Sequence, residues 1–107
     1  MSSGAADDPV FKALGDWRRR RILDSLKAGP RTTGQLCDQF RGLDRCTVMQ
    51  HLRVLEAAEL IIVQRKGRQR WNYLNPLPIK KIHDRWISRY AAGAVGLLAR
   101  LKHDLGR

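Results

Sequence analysis

The sequence predicts a mainly α-helical domain carrying one small β-hairpin, and three observations predict it. Apolar residues recur at three- and four-residue spacing along most of the chain. Two of these segments are joined by a tight glycine-containing turn, Arg41-Gly42-Leu43. Directly after them come two β-rich runs separated by Lys66-Gly67-Arg68.

Composition narrows the class further. A chain of 107 residues, 43% of them hydrophobic, suits one folded domain with a modest core. Lysine and arginine number 21 against 10 acidic residues, a formal charge of +11. An excess of that size favours a polyanionic partner, with nucleic acid first among them. The sequence contains no apolar run of about 18 residues, and Met1 to Pro9 lacks a basic–apolar signal pattern, so no membrane partner is expected. Cys37 and Cys46 form neither a disulfide framework nor a zinc ligand set, which points to a reducing, cytoplasmic setting.

Residues 1–8 are expected to form a flexible N-terminal tail, and residues 9–107 the domain. Asp7 or Asp8 followed by Pro9 reads as a helix start, with Val10, Phe11 and Leu14 as its apolar face and Gly15 as its end. Asp16 caps the next helix, from Trp17 to about Ala28, whose inner face is Ile22, Leu23 and Leu26. Its first turns carry the run Arg18 to Arg21, cations at the helix end where the dipole disfavours them. Contact with Asp24 or with phosphate is the alternative use of that run. Gly29-Pro30 breaks the chain, and Thr32 or Thr33 caps a short third helix with Leu36 and Phe40 inward.

Leu43 to Leu60 carries the centre of the reading. Asp44 is its cap, and Val48, Leu52 and Leu55 form one inner stripe. The opposite face holds Cys46, Met49, Gln50, Arg53 and Ala57, with Arg45 and Thr47 in the first turn. Such a face is mixed and cationic, as a helix entering a DNA groove requires. His51 lies beside the inner stripe and is expected to pack or to bond a phosphate. Leu60 to Arg65 and Gln69 to Leu74 then form the hairpin, with Arg65, Lys66, Arg68 and Arg70 about its tip. A basic hairpin directly after a helix-turn-helix is a winged helix, whose wing can grip the backbone beside the minor groove.

Asn75-Pro76-Leu77-Pro78 separates this unit from a final stripe of Ile79, Ile82, Trp86, Tyr90, Ala94, Leu97, Leu98, Leu101 and Leu105. One long last helix is expected, weakened near Gly93 and Gly96. A domain this small cannot cover such a stripe alone. A homodimer is therefore expected through the first and last helices, using Phe11, Leu14, Ile82, Trp86, Tyr90, Leu97 and Leu101. The order is α-α-α-α-β-β-α.

The residues also carry a family resemblance. ALGDxxRRxIL at Ala13 to Leu23, QHLxVLExA at Gln50 to Ala58 and KGR at Lys66 to Arg68 resemble the ArsR family of bacterial winged-helix repressors. The likeness spans about residues 9 to 90. It implies a homodimer that binds a palindromic operator in double-stranded DNA. Metal sensing does not carry over. Where some members have a Cys-x-Cys pair this chain has Thr32-Thr33-Gly34, and Cys37 falls later. His83-Asp84 and His103-Asp104 lack the family's Asp-x-His and His-x-x-Glu spacing. WISRY at Trp86 to Tyr90 is similar to the metal-independent branch of SdpR-type repressors. Met49 and Cys46 stand where serine is usual, and Glu59 stands where glycine commonly ends the recognition helix. A left-handed residue there costs about 1 kcal/mol against glycine.

The expected function is that of a sequence-specific DNA-binding regulator, a homodimeric repressor. Arg45, Thr47, Met49, Gln50 and Arg53 would face the bases or nearby phosphates, and Lys66, Arg68 and Arg70 the backbone. Two alternatives compete with it: a repressor switched by oxidation of Cys46, and a non-DNA protein-interaction module. No cofactor, metal or catalysis is expected, since no nucleophile or carboxylate constellation surrounds His51, His83 or His103.

Overall fold

The computed structural model describes residues 3–87 and 92–106. Helix α1 (Ser3–Leu14) begins upstream of the start expected at Asp7–Pro9 and carries Pro9 inside it. An interior proline removes one helical hydrogen bond. Packing supplies the compensation: Val10 and Ala13, on either side of the next turn, are buried against the rest of the chain. Gly15 closes the helix with its N–H on the Lys12 carbonyl, 3.2 Å away.

Helix α2 (Trp17–Leu26) is capped by Asp16, which accepts the Arg18 N–H at 2.8 Å. Ile22, Leu23 and Leu26 are buried, as their spacing predicts. The arginine run does not pair with Asp24, one of the two uses expected of it. Arg18 pairs with Asp16 at 2.9 Å, and Asp24 pairs instead with Lys27 at 3.5 Å. Arg19 donates to the carbonyls of Ala13 and Lys12 at 2.8 and 2.9 Å, and Arg20 to that of Leu14 at 2.7 Å. Cations that sit badly at the start of α2 thus sit well at the end of α1, where unpaired carbonyls concentrate negative charge.

After Gly29, with φ 148°, comes a strand that the sequence does not announce, β1 (Arg31–Thr32). Thr32 also caps helix α3 (Thr33–Gln39) in a reciprocal box with Gln35. Helix α4 (Arg45–Ala57) follows, then β2 (Ile61–Lys66) and β3 (Gln69–Leu74). The three strands form one antiparallel sheet in the order β1-β3-β2, so the hairpin is rooted on a third strand. Register runs from Ile61 opposite Leu74 to Lys66 opposite Gln69, leaving Gly67-Arg68 as the loop. Gly67 has φ 64° at the first loop position, the geometry of a tight hairpin turn that glycine accepts without strain. Buried Asn72 ties the sheet to α3, donating to the Arg31 carbonyl and the Thr33 hydroxyl, both at 3.2 Å.

Helix α4 ends in a reciprocal carbonyl cap. The Leu60 N–H reaches the Leu55 carbonyl and the Glu59 N–H that of Glu56, both at 2.9 Å. Glu59 stands at the left-handed position, with φ 60°. Leu55 and Leu60 are both fully buried beneath that cap.

The last stripe is described as two helices, α5 (Leu77–Trp86) and α6 (Ala92–Leu105), rather than one. The Ile87 N–H closes α5 on the His83 carbonyl at 2.7 Å. α1 packs against α2, α4 and α5, while α3 packs against α4 and the sheet. Of the residues expected at a dimer face, Leu14 and Ile82 are half-buried against their own core. Phe11 and Trp86 meet with ring centroids 6.3 Å apart, yet remain 45% and 51% exposed. Leu97 and Leu101 on α6 are exposed as well. Tyr90 lies outside the described residues.

Candidate nucleic-acid interface

Helix α4 divides into two faces as its apolar spacing requires. Val48, His51, Leu52 and Leu55 are buried, while Arg45, Cys46, Gln50 and Arg53 are exposed. Asp44 accepts the Thr47 N–H at 2.7 Å, a bond that holds its carboxyl below the usual range and fixes the helix start. Thr47 and Met49 are half-buried, so they present less surface outward than the sequence suggests.

His51 is the packed histidine of the two alternatives. It is 7% exposed, and its Nδ1 lies 3.3 Å from Nη1 of Arg19. Burial pushes its pKa below the ordinary value; Asp16 opposes that shift, and Arg18 and Arg19 add to it. Asp16 itself is held far below the carboxylate range, chiefly by its side-chain hydrogen bond to Arg18. The carboxylate and the two guanidiniums thus form the joint between α1, α2 and α4.

The wing cations separate by strand alternation. Arg65 and Arg70 are opposite one another, on the sheet face that also carries Val63 and Asn72. Arg70 is half-buried, and its Nη2 lies 3.7 Å from Oε1 of Glu56 on α4. Lys66 lies on the other face, with its Nζ 5.9 Å from the ring centroids of both Trp71 and Tyr73. It also donates to the Tyr73 hydroxyl at 3.2 Å. Arg68, in the loop, is exposed.

One cleft brings four of the sequence-predicted residues together. Arg45 and Met49 from α4 meet Arg68 and Arg70 from the wing, with Thr32, Thr33, Gly34 and Gln69 completing the lining. Gln50 and Arg53 lie outside its lining, and Lys66 turns away from it. Glu56, which lines a neighbouring cleft with Met49, Arg53 and Arg70, is a residue that the sequence did not single out. Its spacing from Arg53 on the outer face of α4 was a signal of proximity, but its pairing with Arg70 needs the hairpin's position. Cys46 is exposed and Cys37 half-buried, and neither is disulfide-bonded. Among the described residues, no group of three or more His, Cys, Asp and Glu side chains converges to hold a metal ion.

A family model described as a helix-turn-helix domain matches residues 14–64. The chain is 41% identical over 66 residues to the transcriptional repressor SdpR of Bacillus subtilis, covering 62% of this chain and 72% of that one. An HTH-type transcriptional regulator of Mycobacterium tuberculosis is 32% identical over 101 residues, covering 92% of this chain and 94% of its own length. An ArsR-like transcriptional regulator from Rhodococcus sp. RHA1 shares the fold with a TM-score of 0.72 at 26% identity, over 99% of this chain and 97% of that chain. Among the described residues, no helix is long and apolar enough to cross a membrane. With its helix-turn-helix, basic wing and these relatives, the chain belongs to the ArsR family of winged-helix, DNA-binding transcriptional regulators.

Proposed function

We propose that the protein is a cytoplasmic, non-enzymatic repressor that binds a palindromic operator in double-stranded DNA as a homodimer. The observation that carries the reading is the cleft joining Arg45 and Met49 of α4 to Arg68 and Arg70 of the wing, beside exposed Gln50 and Arg53. In this reading α4 enters the major groove. Gln50 and Arg53 meet base edges, Arg45 and Thr47 the adjacent phosphates, and Met49 a thymine methyl near the cleft. Arg68 grips the backbone directly. Arg70, held by Glu56, sets the wing against α4, and Lys66 stiffens the wing's outer face.

Exposure of Phe11, Trp86, Leu97 and Leu101 supports a second copy covering α1, α5 and α6. Tyr90 is assigned to the same face on its sequence spacing. A two-fold pair would set its recognition helices about one DNA turn apart, ~34 Å, and so favour an inverted repeat. Titration with a duplex carrying the protein's own promoter tests the reading. Specific binding over a scrambled duplex is expected, with a loss of about tenfold or more in Gln50→Ala plus Arg53→Ala. Equal affinity for both duplexes, or no loss in the double variant, rejects it. Sedimentation of Trp86→Ala alongside wild type tests the dimer face.

A further inference from the structure

Arg21 is the member of the arginine run that closes nothing. Arg18 engages Asp16, and Arg19 and Arg20 engage carbonyls at the end of α1. Among the described residues, no carboxylate or carbonyl partner stands with the Arg21 guanidinium. Instead it lines a cleft of about 400 Å³ between α2 and the turn that joins α3 to α4. Arg41, likewise without such a partner among the described residues, lines the same cleft. The rest of the wall is Trp17, Phe40 and Leu43, which are apolar or aromatic, with Gln39 and Gly42 completing it. No carboxylate contributes to the lining.

Two features of this cleft ask for an occupant. Trp17 is 58% exposed, a large aromatic surface left in water, and it is joined by the half-buried Phe40 ring. The two arginines carry like charge on one cleft, and among the described residues neither has a carboxylate within ion-pair distance. A volume of this size is within the usual span of small-molecule sites, about 300–1,000 Å³. None of the lining comes from α1, α5 or α6, which carry the exposed apolar stripe, so the cleft is separate from that face.

We propose that this cleft binds a planar aromatic carboxylate. The ring of such a ligand would stack on the Trp17 indole and against Phe40 and Leu43, removing apolar surface from water. Its carboxylate would take charge-assisted, bidentate hydrogen bonds from Arg21 and Arg41, the geometry for which guanidinium is suited. A cationic ligand is repelled, and a neutral one leaves the arginines unmatched. DNA phosphate would satisfy the arginines but leave the Trp17 and Phe40 surface unused, so the small anion accounts for more of the site. The turn runs directly into Asp44, the cap of α4, with the Leu43 N–H on the Phe40 carbonyl at 3.0 Å.

Calorimetric titration of the whole protein with 2-naphthoate, without DNA, tests this independently of the operator reading. Saturable binding is expected, at least about tenfold weaker for the neutral alcohol 2-naphthalenemethanol. Arg21→Ala plus Arg41→Ala, and separately Trp17→Ala, should each weaken naphthoate about tenfold or more. These three side chains are on the surface, and circular dichroism confirms that the variants stay folded. Arg100→Ala plus Lys102→Ala removes the same charge from α6 and should leave naphthoate binding unchanged. The proposal is overturned by an absence of saturation or by equal weakening in the α6 variant. It is equally overturned if the Arg21/Arg41 variant keeps naphthoate but loses affinity for duplex DNA, which would assign those arginines to phosphate.

Discussion

Nη1 of Arg19 lies 3.3 Å from Nδ1 of His51, linking α2 to α4 beside the end of α1. A guanidinium can only donate, so Nδ1 accepts and the ring proton sits on Nε2, buried without a hydrogen-bond partner among the described residues. The same guanidinium holds the Ala13 and Lys12 carbonyls. One side chain therefore serves three helices. Arg19→Met keeps the aliphatic stem and removes every one of these bonds. The expected loss is about 1–3 kcal/mol of unfolding free energy, read from urea midpoints. An unchanged midpoint would show that the clamp contributes nothing net.

Stability should also fall in mild acid through His51. Its folded pKa lies below the ordinary 6.5, chiefly because burial disfavours the charged ring. As pH drops below 6.5, the unfolded chain takes a proton that the folded chain refuses. Stability is thus complete above that value and declines toward the lower folded pKa. His51→Gln should flatten this part of the curve. Denaturant melts of both proteins across mildly acidic pH check it, and parallel curves would remove His51 as the cause.

Glu59 occupies the left-handed position that ends α4, with φ 60°. The cap needs the backbone conformation, and among the described residues no side-chain hydrogen bond or ion pair of Glu59 offsets the strain. Its negative charge also sits at the helix C-terminus, the unfavourable end. Glu59→Gly is expected to stabilise the fold by about 1 kcal/mol, seen as a higher urea midpoint with an unchanged slope. A lower midpoint would contradict that account.

Glu56 partly neutralises Arg70 at 3.7 Å, on a half-exposed surface where an ion pair contributes about 0–1 kcal/mol. Glu56→Gln should leave stability nearly unchanged while removing an anion from beside the proposed DNA path. The expected result is a gain of several-fold in duplex affinity, measured by fluorescence anisotropy. Weaker binding would instead mean that the pair is needed to aim the wing.

Features written in one local stretch were legible in the sequence. Asp16 and Asp44 are caps because a short acceptor precedes a helical apolar pattern, and Gly67 marks the hairpin because its loop demands a positive φ. Strand β1 was not legible, since two residues carry no periodicity and Arg31-Thr32 is a strand only because β3 lies beside it. Pro9 misdirected the start of α1 because packing of Val10 and Ala13 outweighs one missing bond. In the candidate site, the outer face of α4 followed from spacing. The separation of Lys66 from Arg70 also follows from strand alternation once the register is known. What spacing could not show is the partner of each cation. The Ala13 and Leu14 carbonyls that hold Arg19 and Arg20 become acceptors only where α1 ends against α2.

That use of the arginine run changes what the formal charge of +11 means for DNA. Guanidiniums bound to the chain's own carbonyls and to Asp16 keep their charge but have fewer donors free to meet a phosphate. Arg70 and Lys66 are partly engaged as well. On the proposed docking, the ions released on binding would report chiefly Arg45, Arg53, Arg65 and Arg68, the exposed cations of α4 and the wing. At about 0.9 ion per phosphate neutralised, that is roughly three to four per chain. The affinity of this basic protein should accordingly fall with ionic strength far more gently than its lysine and arginine content implies.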